Sequence, residues 1–406
     1  MEGGSQSFNS ILEKFEKQIA ECVGTRYAIA CSSARAAIRF SLLALKIGRG
    51  DEVLVPDLAC EILPITILCT GALPRFCDID KSTLGLSPTH MMKVLTSETK
   101  AVIFVHPHGI PVDPWSISEI ARKRGVALID DAAQSLGTSL KGKKAGSFGD
   151  VGILSFNKWL NVSLGGAAVT DDEEIAAKIR LFRTRYEDKP LLLSLSHRIM
   201  EYLGLTFDRL LKMTFLCDNH LFELLHGTRR YATGLWLTNP DAIELTNAKP
   251  ISRTVANQLL AYGGAYWHRR SLTKLEISLL SSELENIEKY LVKRRRVALI
   301  YDECLTEEGV KKPVIPSDST PSYLRYPVLV LSEKKCLKCL KDLTDAGHQI
   351  DYRYRPLHMF PSLNWTCERQ TFENSTYASK HILPLPTGLD MNIEEIDEVV
   401  SIVNSN

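Results

Sequence analysis

Three short apolar runs in the middle of the chain constrain its fold more than any other feature of the sequence. The first run ends in Asp130 and Asp131, and the second ends in Ser155 and leads to Lys158. The three runs cover residues 125–129, 151–154 and 167–170. Short runs of β-branched and other apolar residues that end in polar residues are typical of the carboxyl edge of a buried sheet, where ligands bind. The pattern therefore predicts an acid, a hydroxyl and an amine around one crevice.

Strands and helices alternate from residue 27 to residue 170. Strand patterns cover residues 27–30, 53–55 and 101–106, and helical patterns cover residues 36–45 and 116–124. This alternation predicts an α/β fold with a large, mostly parallel sheet that helices cover on both faces. Further strand and helix patterns follow at residues 326–331, 382–386 and 393–403. We expect a large domain over residues 1–289 and a smaller C-terminal α/β domain over residues 290–406.

The composition argues against several classes of protein. The chain has 406 residues, 45% of them hydrophobic, and a net charge of +1. This balance predicts neither nucleic acid nor an anionic membrane as a partner, and no run is long and uncharged enough for a transmembrane segment. The ten cysteines are scattered and the first residues lack an export signal, so we expect a cytoplasmic protein with reduced thiols. His106 and His108 have no further ligands at useful spacing, and we expect no metal site.

One Cys-x-x-Cys pair stands at Cys336 and Cys339. A redox or zinc role for such a pair needs a thioredoxin-like context or a second pair. The surrounding residues have helical spacing, with Cys336, Leu337, Leu340 and Leu343 expected to face inward. We therefore expect two buried cysteines on a helix.

An acid and a lysine in one partly dry crevice indicate pyridoxal phosphate chemistry. That cofactor needs an amine for its Schiff base, a carboxylate that keeps its ring nitrogen protonated, and donors for its phosphate. The residues alone leave a second interpretation open, in which the acids are solvated at a strand end and Lys158 is a surface residue.

Three segments carry a resemblance to a known family. They are the run Asp130–Gln134, the glycine-rich segment Gly142–Asp150, and the block Ser155–Thr170, which contains a lysine and a Gly-Gly-Ala-x-Val-Thr motif. Together they resemble the DegT/DnrJ/EryC1/StrS family of sugar aminotransferases. The resemblance implies the aspartate-aminotransferase-like (type I) fold and pyridoxal 5'-phosphate as the cofactor.

The resemblance also implies catalytic roles. Asp131 would pair with the pyridinium nitrogen, Gln134 would lie near the ring hydroxyl, and Lys158 would form the Schiff base. In the usual family spacing the lysine follows the serine by five positions, whereas Lys158 follows Ser155 by three. Counted back from Gly165 the lysine is seven positions away, as in the family, so a two-residue deletion fits better than loss of the lysine. A divergent branch of the family has a similar short Ser-x-x-Lys segment.

The remaining cofactor contacts depart from the family pattern. Ser155 would hold the phosphate together with a helix start at Ser33, Ala34 and Arg35, where the family usually has Ser-Gly-Thr. Cys60 stands where relatives have an aromatic ring that stacks on the cofactor, and it would offer a smaller contact. A plain capped helix and an ordinary buried cysteine remain as alternatives.

The stretch from residue 188 to residue 268 is longer than relatives need, and we expect a helical insertion there. It would add helical packing to the domain, with a substrate lid, a dimer contact or a membrane-surface helix as alternatives. Arg269 or Arg270 falls near the place where relatives have a basic residue that reaches the partner subunit's phosphate.

Two later segments also resemble the family. A long helix is expected over residues 275–301, with its inward residues at Leu279, Leu280, Leu284, Ile287 and Leu291. The segment Gln349–His358 contains a Tyr…Pro-Leu-His pattern that lies near the substrate in relatives.

The sequence therefore predicts a pyridoxal-phosphate aminotransferase that acts on a keto group of a nucleotide-linked sugar. An amino acid such as glutamate would be the donor, and the protein would be a homodimer, since subunits of this fold complete each other's sites. A sugar dehydratase of the same fold is one alternative, although such relatives have histidine at the lysine position and no histidine stands between Ser155 and Gly166. A non-catalytic homologue that binds a partner or a membrane surface is the other.

Overall fold

The computed structural model of the protein describes residues 2–160, 162, 164–186, 271–348, 350, 354–360, 363 and 370–406. Residues 1–182 and 272–406 form one compact unit. The expected insertion over residues 188–268, both candidate arginines after it and the first residues of the segment Gln349–His358 lie outside the described residues. No helix in the described ranges is both long and apolar enough to cross a membrane.

Short strands and amphipathic helices make up the described residues. Strands β1–β13 are Tyr27–Cys31, Glu52–Pro56, Leu73–Cys77, Thr99–Val105, Ala127–Asp131, Ser139–Leu140, Lys143–Lys144, Val151–Ser155, Gly166–Thr170, Val310–Lys311, Ser319–Thr320, Tyr326–Val330 and Ile382–Leu385. Helices α1–α11 are Glu2–Val23, Ala34–Ala44, Ile62–Leu68, Pro88–Val94, Pro114–Arg124, Glu173–Tyr186, Lys274–Glu285, Ile287–Cys304, Glu333–Asp345, Glu373–His381 and Ile393–Ser405. Each strand pattern noted in the sequence falls on one of these strands.

The large sheet has seven strands in the order β1-β9-β8-β5-β4-β2-β3. From β8 to β3 all neighbours are parallel, which agrees with the prediction of a mostly parallel sheet. Their β-branched residues are buried on both sides, as expected where helices cover a parallel sheet. The carboxyl ends of β2, β4, β5 and β8 therefore meet at one edge.

The third apolar run of the sequence does not end at that edge. Strand β9 is antiparallel to both of its neighbours, β1 and β8. Its first residue, Gly166, is the one that pairs with Ser155 at the end of β8. The direction of β9 is set by its pairing with the distant β1.

Two further sheets lie outside the large one. Strands β10, β12 and β13 form an antiparallel sheet, and α8, α9 and α11 contribute side chains to the apolar cluster around it. Strand β11 pairs with the hairpin β6–β7, which joins the C-terminal part of the chain to its N-terminal part. Helix α8 places Leu291 in the core beside the large sheet and Val297 in the core beside the small one. The division into domains at residue 290 stays a prediction.

The expected single helix over residues 275–301 is broken at Asn286. This residue ends α7 and precedes α8, with φ −93° and ψ 0°. Its side-chain amide donates to the carbonyl of Ser282 at 3.1 Å, a competing local bond typical of asparagine. Leu279 is 48% exposed, so its expected inward position is wrong, while Leu280 is buried.

Helix α9 buries both cysteines of the Cys-x-x-Cys pair. Cys336 and Cys339 are fully buried and face the same core as Leu343. Leu337 is 47% exposed, so the prediction that it faces inward is wrong. Positions three apart share a helix face, and the tertiary packing selected the face that contains both cysteines.

Candidate active site

A cleft at the carboxyl edge of the large sheet brings together four of the residues expected to contact the cofactor. Cys60, Asp131, Gln134 and Lys158 all line it. They come from the loop after β2, the end of β5 and the loop after β8. An acid, an amide, a thiol and an amine therefore face one space, although they are distant in sequence.

Asp131 is the buried acid of the cleft. Its exposure is 6%, and its carboxylate Oδ1 accepts a hydrogen bond from the backbone N–H of Ala133 at 2.9 Å. Burial raises the pKa of the Asp131 carboxyl, while the Ala133 hydrogen bond and the charge of Lys158 act in the opposite direction. A cation beside this carboxylate would compensate its lost hydration.

The loop that carries Lys158 is held by the next residue, Trp159. Its indole is buried, and its Nε1 donates to the carbonyl of Ala133 at 3.1 Å. The backbone N–H groups of Trp159 and Leu160 both donate to the carbonyl of Phe156. This tight turn joins the short loop to the residues after Asp131, and Lys158 lines the cleft in spite of the missing two residues.

Gln134 is fixed between two partners. Its Oε1 accepts from the backbone N–H of His108 at 3.1 Å, and its Nε2 donates to the hydroxyl of Tyr354 at 3.1 Å. His108 has left-handed backbone angles, φ 57° and ψ 12°, which are uncommon for a residue other than glycine. Strained backbone of this kind is concentrated at functional sites.

The start of α2 lies against the end of the sheet. The Ser33 hydroxyl caps the helix by accepting from the N–H of Ala36 at 3.3 Å. A Cβ on Gly166 would lie 2.3 Å from the backbone nitrogen of Ala34, so only glycine permits this approach. Ser155 pairs with Gly166, and its hydroxyl donates to Asn157 Oδ1 at 2.7 Å. The phosphate residues expected from the sequence thus cluster around one helix N-terminus.

Ser33, Ala34, Arg35 and Ser155 are not among the residues that line the cleft itself. Arg35 is nevertheless close enough to Cys60 for the thiol to affect the pKa of the guanidinium. Burial lowers the pKa of the Arg35 guanidinium, and the interaction with Cys60 opposes this. Burial raises the pKa of the Cys60 thiol, and the Lys158 charge opposes it. Cys60 is therefore a contact residue of the cleft and not a reactive thiolate at neutral pH.

A second buried acid, Asp130, lies directly before Asp131. Its Oδ2 accepts from the backbone N–H groups of Gly146 at 2.6 Å and Phe148 at 3.1 Å, and its Oδ1 is 3.2 Å from His106 Nε2. His106 Nδ1 accepts from the N–H of Val112, which leaves Nε2 as the ring nitrogen nearest to Asp130. In the described part of the chain no group of three or more metal-ligating side chains includes these histidines.

Three residues of the site were not predicted in these roles. They are Trp159, which anchors the lysine loop, His106, which pairs with Asp130, and His108, which holds Gln134. The position of both histidines directly after strand β4 was a usable signal, because that strand ends at the same edge as β5. Trp159 gave no signal beyond its place next to the lysine.

The cleft residues fit pyridoxal phosphate. Asp131 offers a buried carboxylate for a ring N–H, and Lys158 offers a primary amine in the same cleft. The start of α2 presents backbone N–H groups that could hold a phosphate, and the absence of a side chain at Gly166 lets this helix start approach the sheet. An acid, an amine and a phosphate cradle at one sheet edge are the groups that this cofactor requires.

Comparison with known proteins assigns the chain. The sequence profile of the DegT/DnrJ/EryC1/StrS aminotransferase family matches residues 3–189 and 255–404. The chain belongs to this family. The matched residues include the whole cleft and leave residues 190–254 unmatched. The expected family, its pyridoxal-phosphate-dependent aminotransferase class and its cofactor are confirmed.

Individual relatives of this family are similar to different extents. GDP-perosamine synthase of Caulobacter vibrioides is 37% identical over 179 residues. The aligned part is 44% of this chain and 48% of that protein, so the chain spans about half the length of this relative. The spore coat polysaccharide biosynthesis protein SpsC of Bacillus subtilis is 26% identical over 99% of this chain and 91% of its own length. The crystal structure of NtdA from Bacillus subtilis, with the cofactor PMP bound, matches 97% of this chain and 76% of that chain with a TM-score of 0.69 at 22% identity. The likeness in structure confirms the expected type I fold.

Proposed function

We propose that this protein transfers an amino group from an amino acid such as glutamate to a keto carbon of a nucleotide-linked sugar. The observation that carries the proposal is the meeting of Lys158 and Asp131 in one cleft. An amine and a buried acid that line the same cleft have a joint use in an aminotransferase and no evident one in a binding protein.

Each site residue has a separate task. Bound pyridoxal phosphate supplies an aldehyde that takes up amino groups and a ring that delocalises the electrons left by a departing proton. Asp131 would hold the proton on the ring nitrogen, because its carboxylate and the protonated ring carry opposite charges in a site that excludes water. Lys158 Nζ accepts the proton that leaves the α-carbon of the donor and later donates one to the sugar carbon. Gln134, fixed by His108 and Tyr354, binds the ring hydroxyl with its amide.

The phosphate contacts anchor the cofactor end that does not react. Ser155 and the N-terminus of α2 at Ser33, Ala34 and Arg35 would donate hydrogen bonds to the phosphate oxygens, and the Arg35 guanidinium would add positive charge. The start of α2 packs closely on the sheet at Ala34, because Gly166 has no side chain to hold it away. Cys60 would touch the cofactor ring with a small polarizable sulfur in place of an aromatic face.

The substrate class is supported by the relatives. GDP-perosamine synthase and SpsC are named for a nucleotide-linked amino sugar and for polysaccharide biosynthesis. We extend this to the present chain as amino-sugar formation for a polysaccharide. A dehydratase is disfavoured by Lys158, and a non-catalytic homologue by the joint presence of Lys158 and Asp131 in the cleft.

Borohydride reduction tests the lysine. Reduction of the protein with bound pyridoxal phosphate is expected to attach a pyridoxyl group to Lys158, which peptide mass spectrometry identifies. Lys158→Met is expected to lose the attachment and the long-wavelength absorbance of the bound cofactor, and its turnover is expected to fall by about 10²–10⁴-fold. The matched control is Lys143→Met, because Lys143 is exposed on the β7 hairpin away from the cleft. Attachment at Lys158 in wild type but not elsewhere supports the proposal, and a Lys158→Met enzyme that keeps its absorbance refutes it.

The substrate needs a separate experiment. The cofactor-loaded protein is mixed with single amino acids, and the loss of its long-wavelength absorbance identifies the donor. The aminated protein is then mixed with a panel of keto sugars, each with and without a nucleoside diphosphate. Recovery of the absorbance only with nucleotide-linked sugars is expected. Recovery with the free sugars alone would contradict this part of the proposal.

We also propose a cytoplasmic homodimer. The eight cysteines among the described residues are free thiols, which suits a reducing compartment. In the dimer, Arg269 or Arg270 would reach the partner subunit's site. Light scattering at micromolar concentration is expected to give twice the mass of 45.4 kDa, and a monomer would contradict the proposal.

A further inference from the structure

The segment Tyr354–Phe360 is attached to the end of β2 by one buried carboxylate, Asp57. Asp57 Oδ1 accepts from the backbone N–H of His358 at 2.9 Å, and its Oδ2 is 2.7 Å from His358 Nδ1. Its carbonyl accepts from the N–H of Leu357 at 2.8 Å. Asp57 has no solvent exposure, so these bonds replace water that the carboxylate lost on burial.

The ring of His358 has a second contact that fixes its plane. It stacks on Phe372 with centroids 4.7 Å apart and an interplanar angle of 13°. Phe372 precedes α10, and the N–H groups of Asn374 and Ser375 at the start of that helix donate to Asp78, after the end of β3. Two neighbouring strand ends thus hold the C-terminal segments by separate carboxylates, one through His358 and one through α10.

The Asp57 attachment is connected to the cofactor side of the cleft. Asp57 is three residues before Cys60 in the same loop, and Tyr354 is four residues before His358. Tyr354 and Cys60 both line the cleft, and the Tyr354 hydroxyl accepts from Gln134 Nε2. Residues 354–356 have no helix or strand of their own, so the position of Tyr354 depends on the anchor at Leu357 and His358 together with its packing against the apolar cluster that contains Leu58 and Ile382.

We propose that Asp57 and His358 are positioning residues, which hold Tyr354 over Gln134 and so fix the direction in which the Gln134 amide faces the cofactor ring. With Oε1 bonded to the His108 N–H, the Gln134 amide can offer only Nε2 hydrogens to a ring oxygen. The Tyr354 hydroxyl stabilises that orientation by accepting one of them. This inference rests on the proposed function, because it concerns the same cofactor site.

A double-mutant cycle on the full-length protein tests the proposal. Tyr354→Phe removes the hydroxyl. His358→Phe keeps the stacking on Phe372 and the backbone N–H bond to Asp57 Oδ1 but removes the ring bond to Asp57 Oδ2. Each is expected to weaken pyridoxal phosphate binding about fivefold, the value of one hydrogen bond. The double variant is expected to bind about as weakly as either single variant, whereas independent effects would multiply to about 25-fold. Affinity is measured by absorbance titration of cofactor-free protein.

Two matched variants separate positioning from general destabilisation. His358→Asn places an amide N–H near the position of ring Nδ1 and is expected to restore binding to within about twofold of wild type. Ser375→Ala removes the hydroxyl bond to Asp78 at 2.6 Å on the neighbouring anchor and is expected to lower the melting temperature without changing cofactor affinity. If His358→Phe does not fold, His358→Gln, whose longer side chain cannot keep the same bond geometry, replaces it in the cycle.

The outcomes distinguish this inference from the proposed function. Wild-type protein that binds no pyridoxal phosphate overturns the proposed function and this inference with it. Wild-type protein that binds the cofactor, with multiplicative effects of Tyr354→Phe and His358→Phe, overturns the positioning role alone. Weak binding by Ser375→Ala equal to that of His358→Phe would also overturn it, since any loosening of the C-terminal segments would then suffice.

Discussion

Gly166→Ala tests the packing on which the phosphate end of the site depends. The added Cβ would lie 2.3 Å from Ala34 N, 2.6 Å from the Ser33 carbonyl carbon and 2.7 Å from Leu154 O. All three are backbone atoms, so no side chain can rotate to relieve the contact. The start of α2 must move away from β9 by about 1 Å to reach ordinary contact distance.

This displacement has a cost that can be estimated. Overpacking a rigid site costs about 1–3 kcal/mol, and three backbone contacts place this variant at the upper end. We expect the melting temperature to fall by about 4 °C, because the unfolding entropy by which the cost is divided grows with the length of the chain. Affinity for pyridoxal phosphate is expected to fall about tenfold, because the helix N–H groups no longer lie where the phosphate binds. Differential scanning fluorimetry and absorbance titration measure the two effects.

Gly48→Ala is the matched control. A Cβ there would meet only Thr70 O at 3.5 Å, an ordinary contact, so we expect a change in stability within about 1 kcal/mol and unaltered cofactor affinity. A Gly166→Ala protein as stable as wild type would refute the described packing of α2 on the sheet. Lower stability with unchanged affinity would show that the N-terminus of α2 does not hold the phosphate.

Two further predictions concern buried groups. Because burial raises the pKa of the Asp131 carboxyl, this group destabilises the cofactor-free fold increasingly as the pH rises from about 4 through its higher folded pKa. Asp131→Asn should therefore raise the melting temperature of cofactor-free protein at pH 8 but not at pH 4. The same substitution should weaken cofactor binding at least about tenfold. Equal shifts of the melting temperature at both pH values would contradict the reasoning. Iodoacetamide at pH 8 should label exposed Cys304 well before Cys336 and Cys339, since both are buried and burial raises the pKa of Cys339 to about 11. Mass spectrometry of the peptides checks this, and equal labelling would mean that α9 opens in solution.

The strands and their common edge could be predicted because the pattern is local. Asp131, Gln134 and Lys158 were recognised from runs that end in polar residues and from their family motifs, and the structure brings them to one cleft. The glycine-rich segment Gly142–Asp150 also has a clear physical reason. Its backbone N–H groups at Gly146 and Phe148 donate to Asp130, and only glycine at 149 avoids the carbonyl of Leu128.

Other features could not be predicted from spacing. The direction of β9 depends on its pairing with β1, more than a hundred residues earlier in the chain. The break at Asn286 depends on one side-chain hydrogen bond, which the leucine periodicity across it conceals. Only Leu337 on α9 was wrongly expected to face inward, because helical spacing allows two adjacent faces and the core selected the one that contains Cys339.

The sequence by itself determined the α/β class, the order of strands and helices, and the chemical groups available to the site, because these follow from local periodicity and from short motifs. Only the tertiary structure decided how those groups are held. Trp159 bonds to Ala133, Tyr354 to Gln134 and His358 to Asp57, and the last two pairs are separated by 220 and 301 residues. Such contacts form because distant segments pack into one core and each buried polar group there needs a hydrogen-bond partner. Which residue becomes that partner cannot be predicted from the local sequence.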